Sequence, residues 1–265
     1  MRRFIRPVRN RPEMNRLKCI YAVLDSNQNS DLGIKGLNGG SVYTLAYKDI
    51  SAAVSDIEKD DLKVNEECAL SYGRIIESIM EGCALLPMRF GTLVKGDREV
   101  IGLLEEYYDK FVVNLRQVRG KSEYGLKVLW DVEKVNLQLM VPGGKEDLKG
   151  FDRLKGDSPY KGYLLGKLKE HKLEEALVKK AQEIIEGIHK PLAELSFLNK
   201  FKKMTTQKII LDAVYLVEKE KKDVFVRGFK ELSERRQDLK FLLTGPWPPY
   251  NFVESSDFKK ETSVQ

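Results

Sequence analysis

Chemistry needs groups that bind metals, attack electrophiles or carry protons, and this chain has few of them. It holds two histidines and three cysteines in 265 residues. His171 lies between Glu170 and Lys172 in a helical pattern and reads as part of a solvated helix face. His189 falls in what reads as the last helical turn before Pro191, where a cation complements the helix dipole. Neither belongs to a His/Cys set with the spacing of a zinc site. Cys19, Cys68 and Cys83 are odd in number and set among apolar neighbours. They predict a reduced, cytoplasmic setting rather than a disulfide framework. No serine stands in a Gly-x-Ser-x-Gly elbow. The run from Gly162 to Lys167 echoes a phosphate loop, but it is too short between its glycines and lies in a helical stretch. Leu168 also stands where a magnesium-binding hydroxyl belongs. The glycines at 33–40 precede a strand, so they lack the helix N-terminus that holds a pyrophosphate. No catalytic residue, metal or cofactor is expected.

Two features remain. Arg89 is a charged residue in the otherwise apolar Leu86-Pro87-Met88-Arg89-Phe90-Gly91. If buried, its guanidinium needs a carboxylate or carbonyl, so it reads as a structural ion pair or as a contact for an anion or partner. The second is Gly245-Pro246-Trp247-Pro248-Pro249-Tyr250-Asn251-Phe252-Val253. Proline fixes φ and removes donors, so this stretch should leave the last strand stiff and extended. Trp247, Tyr250 and Phe252 would then either pack back to seal a core or form a preorganised aromatic surface for a protein partner.

Charge narrows the partner. Lys plus Arg number 46 against 40 Asp plus Glu, a net +6. Residues 1–16 hold six arginines and one acid, Glu13, so most of that excess belongs to a short basic arm. The near-neutral remainder lacks the concentrated basic face that nucleic acid requires. No apolar run approaches the length of a membrane span. Neither nucleic acid nor membrane is an expected partner.

The elements that must position these residues follow from periodicity. Strands are expected at 17–25, 41–47 and 50–57, the last two as a hairpin. A helix begins near Asn65 with Ala69, Tyr72, Ile76, Ile79 and Met80 on one face, a strand spans 84–92 with Pro87 at an edge or bulge, and a second helix, with Asp97 as its N-cap, stops at Gly120. A strand at 124–131 completes a β-β-β-α-β-α-β order. Glycine-rich residues 142–158 read as a linker. Ser158-Pro159 starts a long helix that should halt before Pro191. Strands at 193–197, 209–217 and 239–243 and a short helix around Phe225, Phe229 and Leu232 follow. That second half has a ferredoxin-like grammar lacking its first strand, which could come from elsewhere in the chain. The expected division is a basic flexible arm at 1–16, an α+β domain at 17–141, a linker at 142–157, an α+β domain with a long helix at 158–253, and a polar tail at 254–265.

Four segments carry a resemblance. They are Leu85-Leu86-Pro87-Met88-Arg89-Phe90-Gly91-Thr92, Leu126-Lys127-Val128-Leu129-Trp130-Asp131, Leu211-Asp212-Ala213-Val214-Tyr215-Leu216-Val217 and Leu243-Thr244-Gly245-Pro246-Trp247-Pro248-Pro249-Tyr250-Asn251-Phe252-Val253. In order and spacing, from about Leu17 to Val253, the chain is similar to the gas vesicle protein F/L family (GvpF/GvpL). The resemblance implies a non-enzymatic accessory protein with two α+β domains of ferredoxin-like character, each a small sheet with helices packed on it. It implies a cytoplasmic, vesicle-associated role in shell assembly, with the small hydrophobic major shell subunit and other accessory proteins as partners and no small-molecule substrate. The basic arm and polar tail inherit nothing from it. The competing reading is a ferredoxin-like small-molecule-binding or enzymatic protein with an anion site at Arg89.

Overall fold

The apolar run at 17–24 is too short for a helix of ordinary length and rich in β-formers, so it builds a strand. The computed structural model describes residues 16–58, 63–140, 159–202 and 208–253. In it the run forms β1 (Arg16–Leu24), with every residue from Cys19 to Leu24 buried. A strand buried on both faces belongs inside its sheet. With β2 (Asp31–Lys35), β3 (Ser41–Tyr47), β4 (Ile50–Glu58), β5 (Leu85–Pro87) and β6 (Leu93–Val94), the order is β2-β3-β4-β1-β5, and β6 also pairs with β1. Strands β3 and β4 form the expected hairpin, pairing Tyr47 with Ile50 around a left-handed Lys48 at φ 53°. Pro87 sits on the terminal strand β5, where a missing N–H costs no ladder bond.

The glycine-rich stretch is partly a strand. Asp31 to Lys35 pairs with β3, and the turn proper is closed by the Gly36 amide on the Gly40 carbonyl at 2.7 Å. Gly36 is required by space: a Cβ there would lie 2.7 Å from Ser55 Oγ and 2.9 Å from the Tyr21 hydroxyl.

Helix α1 (Glu66–Gly82) starts where expected, its Asn65 cap accepting the Cys68 amide at 2.8 Å. It buries Tyr72, Ile75, Ile76 and Ile79 with Tyr21, Ala22 and Leu24 of β1. The next helix is two, α2 (Asp97–Glu106) and α3 (Tyr108–Val118), joined at Tyr107 and capped by Gly96 rather than by Asp97. Gly120, at φ 68°, then ends the helical path.

The second sheet gathers β7 (Lys121–Leu129), β8 (Leu198–Phe201), β9 (Ile209–Glu218) and β10 (Lys240–Trp247) in the order β10-β7-β9-β8. Its helices are α4 (Val132–Met140), α5 (Pro159–Glu194) and α6 (Lys222–Arg235). Tyr124, Leu126 and Val128 stand opposite Tyr215, Ala213 and Leu211 or their neighbours across the antiparallel β7–β9 pair. Ile184, Ile188 and Leu192 of α5 and Phe225 of α6 complete that core.

Two expectations change. The strand at 121–129 belongs to the second sheet, so the division falls at Gly120 and not within 142–157. One compact unit holds the described residues up to Gly120 together with those from Trp247 onward; the other spans Lys121–Pro246. The long helix also runs through Pro191 to Glu194, displacing the strand expected at 193–197 to 198–201. The reason is the apolar stripe at Ile184, Ile188 and Leu192, whose last buried residue lies immediately after the proline. Pro191 sits on the exposed side, and its missing donor is a local loss. Among the described residues, no helix is long and apolar enough to cross a membrane. The expected arm (but for Arg16), linker and tail lie outside the described residues.

Candidate partner-binding surface

The proline-aromatic segment alternates between anchor and display. Trp247 ends β10, and after it Pro248 and Pro249 are buried. The backbone then folds on itself: the Tyr250 amide donates to the Pro248 carbonyl at 2.7 Å and the Phe252 amide to the Pro249 carbonyl at 3.1 Å. Phe252 is 2% exposed, and its carbonyl accepts from Gln117 Nε2 of α3 at 3.5 Å. Trp247 and Tyr250 are 40% and 42% exposed. The three aromatic residues singled out in the sequence therefore divide, with Phe252 sealing a core and Trp247 and Tyr250 facing outward. Two fixed prolines and a buried ring leave the displayed side chains little backbone entropy to lose on binding.

Arg89 is not a buried charge. Strand β5 ends at Pro87, and Arg89 is exposed two residues later, with no ion pair among the described residues. Its carbonyl, not its guanidinium, does the structural work. It accepts from the Thr92 hydroxyl at 2.7 Å and the Thr92 amide at 3.1 Å, closing the turn through Gly91 at φ 83°. The Tyr72 hydroxyl lies within reach of four carbonyls, those of Ile20 (2.9 Å), Met88 (3.0 Å), Arg89 (3.2 Å) and Tyr21 (3.4 Å). Its ring packs on Tyr21 and Phe90 at 5.2 and 5.3 Å between centroids. Burial holds this phenol well above its ordinary pKa, so it stays a donor. Periodicity marked Tyr72 only as a core position. Its polar role needed the fold to gather carbonyls from β1 and from the turn after β5.

His189 also moves in meaning. Because α5 continues past it, it is no dipole partner at a helix end. Its Nδ1 lies 2.9 Å from the Tyr215 hydroxyl and its ring 4.3 Å from that of Phe201. Burial lowers its pKa, partly offset by a hydrogen bond with Asn199. His171 is solvated as expected, 3.5 Å from Glu175. Burial pushes the Cys19 thiol up to about 12, which leaves it inert as a nucleophile. Among the described residues, no three His, Cys, Asp or Glu side chains gather as a metal site.

The arrangement is one of surfaces, and comparison with known proteins gives it a setting. The family described as "Gas vesicle synthesis protein GvpL/GvpF" matches residues 18–254. The chain belongs to the GvpL/GvpF family. That membership gives it a role in gas vesicles. Relatives include gas vesicle protein F2 of Halobacterium salinarum, 26% identical over 238 residues that cover 88% of this chain and 90% of that protein. Gas vesicle protein L1 of the same organism is 23% identical, with 89% and 90% covered. In fold, the chain is similar to the crystal structure of GvpF from Anabaena sp. PCC7120, with a TM-score of 0.79 at 20% identity covering 91% of this chain and 98% of that one. GvpF from Microcystis aeruginosa gives 0.71 at 19% identity, with 90% and 99% covered.

Proposed function

We propose that this GvpL/GvpF protein is a non-enzymatic assembly factor that binds the small hydrophobic major subunit of the gas vesicle shell, in the cytoplasm and at the vesicle. The observation that carries the reading is the outward display of Trp247 and Tyr250 on a segment pinned by buried Pro248, Pro249 and Phe252. Such paired aromatics suit capture of an apolar partner, because large rings bury much area for few rotatable bonds. We read the second unit as ferredoxin-like. Strand β7 supplies the first strand its sequence half lacks, giving a β-α-β-β-α-β order with a β10-β7-β9-β8 sheet. Other accessory proteins of the vesicle are further partners on this reading.

Pull-down of purified shell subunit by the wild type and by a Trp247→Ala, Tyr250→Ala variant tests the surface. Loss of most retained subunit with an unchanged unfolding midpoint is expected. Full retention by the folded variant would move the surface elsewhere.

A further inference from the structure

Sheets end in strands whose outward backbone groups invite another chain, and proteins blunt those ends with bulges, prolines or charges. Five described strands are terminal, β2, β5 and β6 in one sheet and β8 and β10 in the other; three are blunted in the backbone itself, and β6 is only two residues long. Strand β2 carries a register shift between Asp31 and Ile34, with Gly33 at φ 68°. Strand β5 ends in Pro87, and β10 contains Gly245 at φ 114° followed by Pro246. Strand β8 has no proline, no glycine and no bulge within its paired residues.

All four residues of β8 are exposed, and no described strand lies beyond it. The Lys202 amide donates to the Asp212 carbonyl at 2.7 Å, and the register pairs Leu198 with Leu216 and Lys200 with Val214. Antiparallel alternation then directs the backbone N–H and C=O of Asn199 and Phe201 away from β9, toward the open edge. The side chains alternate as well. Phe201, 59% exposed, stands with Asn199 on the face that meets His189, while Lys200 and Lys202 take the other face.

We infer that β8 is a second docking site, one that adds to the sheet an extended strand of another protein in which apolar residues alternate with acidic ones. Laid along β8, such a strand places apolar side chains beside Phe201 and carboxylates beside Lys200 and Lys202. Charge decides against a second copy of this chain, since β8 paired with itself brings four lysines onto one short ladder with no acid between Ser196 and Lys202. This goes beyond the proposed function and does not require Trp247 or Tyr250.

Two labelled seven-residue peptides test it against the full-length protein, one alternating valine with glutamate and one valine with lysine. Wild type should bind the glutamate peptide saturably and the lysine peptide at least about tenfold more weakly, as paired charges and edge hydrogen bonds require. Asn199→Pro removes an outward donor while keeping the bonds to β9, and should weaken the glutamate peptide by about tenfold or more. A Lys200→Glu, Lys202→Glu variant should reverse the peptide preference, and Trp247→Ala, Tyr250→Ala should bind like wild type. In the complex, the Asn199 and Phe201 amides should gain protection from hydrogen exchange. Equal binding of both peptides, undiminished binding by folded Asn199→Pro, or loss of binding in the Trp247, Tyr250 variant would overturn the assignment. So would dimerisation of the protein alone that Asn199→Pro abolishes, which would give the edge to a second copy.

Discussion

A single hydroxyl ties together the most distinctive strand segment of the first unit. The Tyr72 phenol carries one proton and faces four carbonyls from β1 and from the turn after β5, so it bridges two segments that share few ladder bonds. Tyr72→Phe keeps the ring contacts with Tyr21 and Phe90 and deletes only the donor. Removing it leaves buried carbonyls short of a partner, which costs about 1–3 kcal/mol. The expected result is a lower urea midpoint with an unchanged slope; a midpoint equal to wild type would show that the carbonyls are satisfied otherwise. Residue-level reading of the sequence found Tyr72 as part of an apolar stripe, and it found Phe252 and Trp247 without separating anchor from display. Arg89 shows the limit more sharply. Its apolar neighbours suggested burial, but the strand stops at Pro87, and two residues of turn suffice to bring the side chain out.

At the scale of elements, His189 joins three of them, reaching from α5 to Tyr215 on β9 and Phe201 on β8. Burial depresses its folded pKa below the ordinary 6.5, so the neutral ring is the form that the fold favours. Its contribution is complete above about pH 6.5. As pH falls below that value the unfolded chain takes up the proton first, and the contribution is lost through the lower folded pKa. Urea unfolding from pH 7.5 to 5 should therefore show the wild-type advantage over His189→Gln shrinking with acidification, whereas a constant gap would remove the titration from the account. Local patterns made the hairpin, the start of α1 near Asn65 and β9 legible, because each is decided within about ten residues. The assignment of β7 was not legible. Its partner β9 lies some ninety positions on, as Tyr124 paired with Tyr215 shows, and nothing local in either strand names the other. The stop expected at Pro191 failed for the opposite reason, since a buried stripe overrode a single unfavourable residue.

For the whole molecule, the informative fact is that one unit is interrupted by the other. The chain leaves the first unit after Gly120 and rejoins it at Trp247, and the residues that rejoin include buried Phe252 and Val253. Phe252→Ala should cost about 3–5 kcal/mol, the usual range for emptying a buried phenylalanine site. The loss should fall mainly on amides of β1 and β4, with hydrogen exchange in β7 and β9 changed least; uniform loss across both sheets would show that the two unfold as one. The partition of charge belongs to this scale too. Most of the net +6 resides in residues 1–16, and the strand and helix pattern from β1 to Phe252 was legible as two α+β halves even though their seam was misplaced.

The interruption orders events on the ribosome. Domains emerging from synthesis ordinarily close in the order in which they are made, the N-terminal one first. Here every strand of the earlier unit has been made by Val94, yet its core is completed only by residues that follow Pro246, after the whole of the later-made unit. The earlier one must wait with Tyr72, Ile76 and the strands around β1 in place but without Phe252. Until those last residues arrive, the nascent chain carries the strands of both sheets while the first core still lacks Phe252 and Val253.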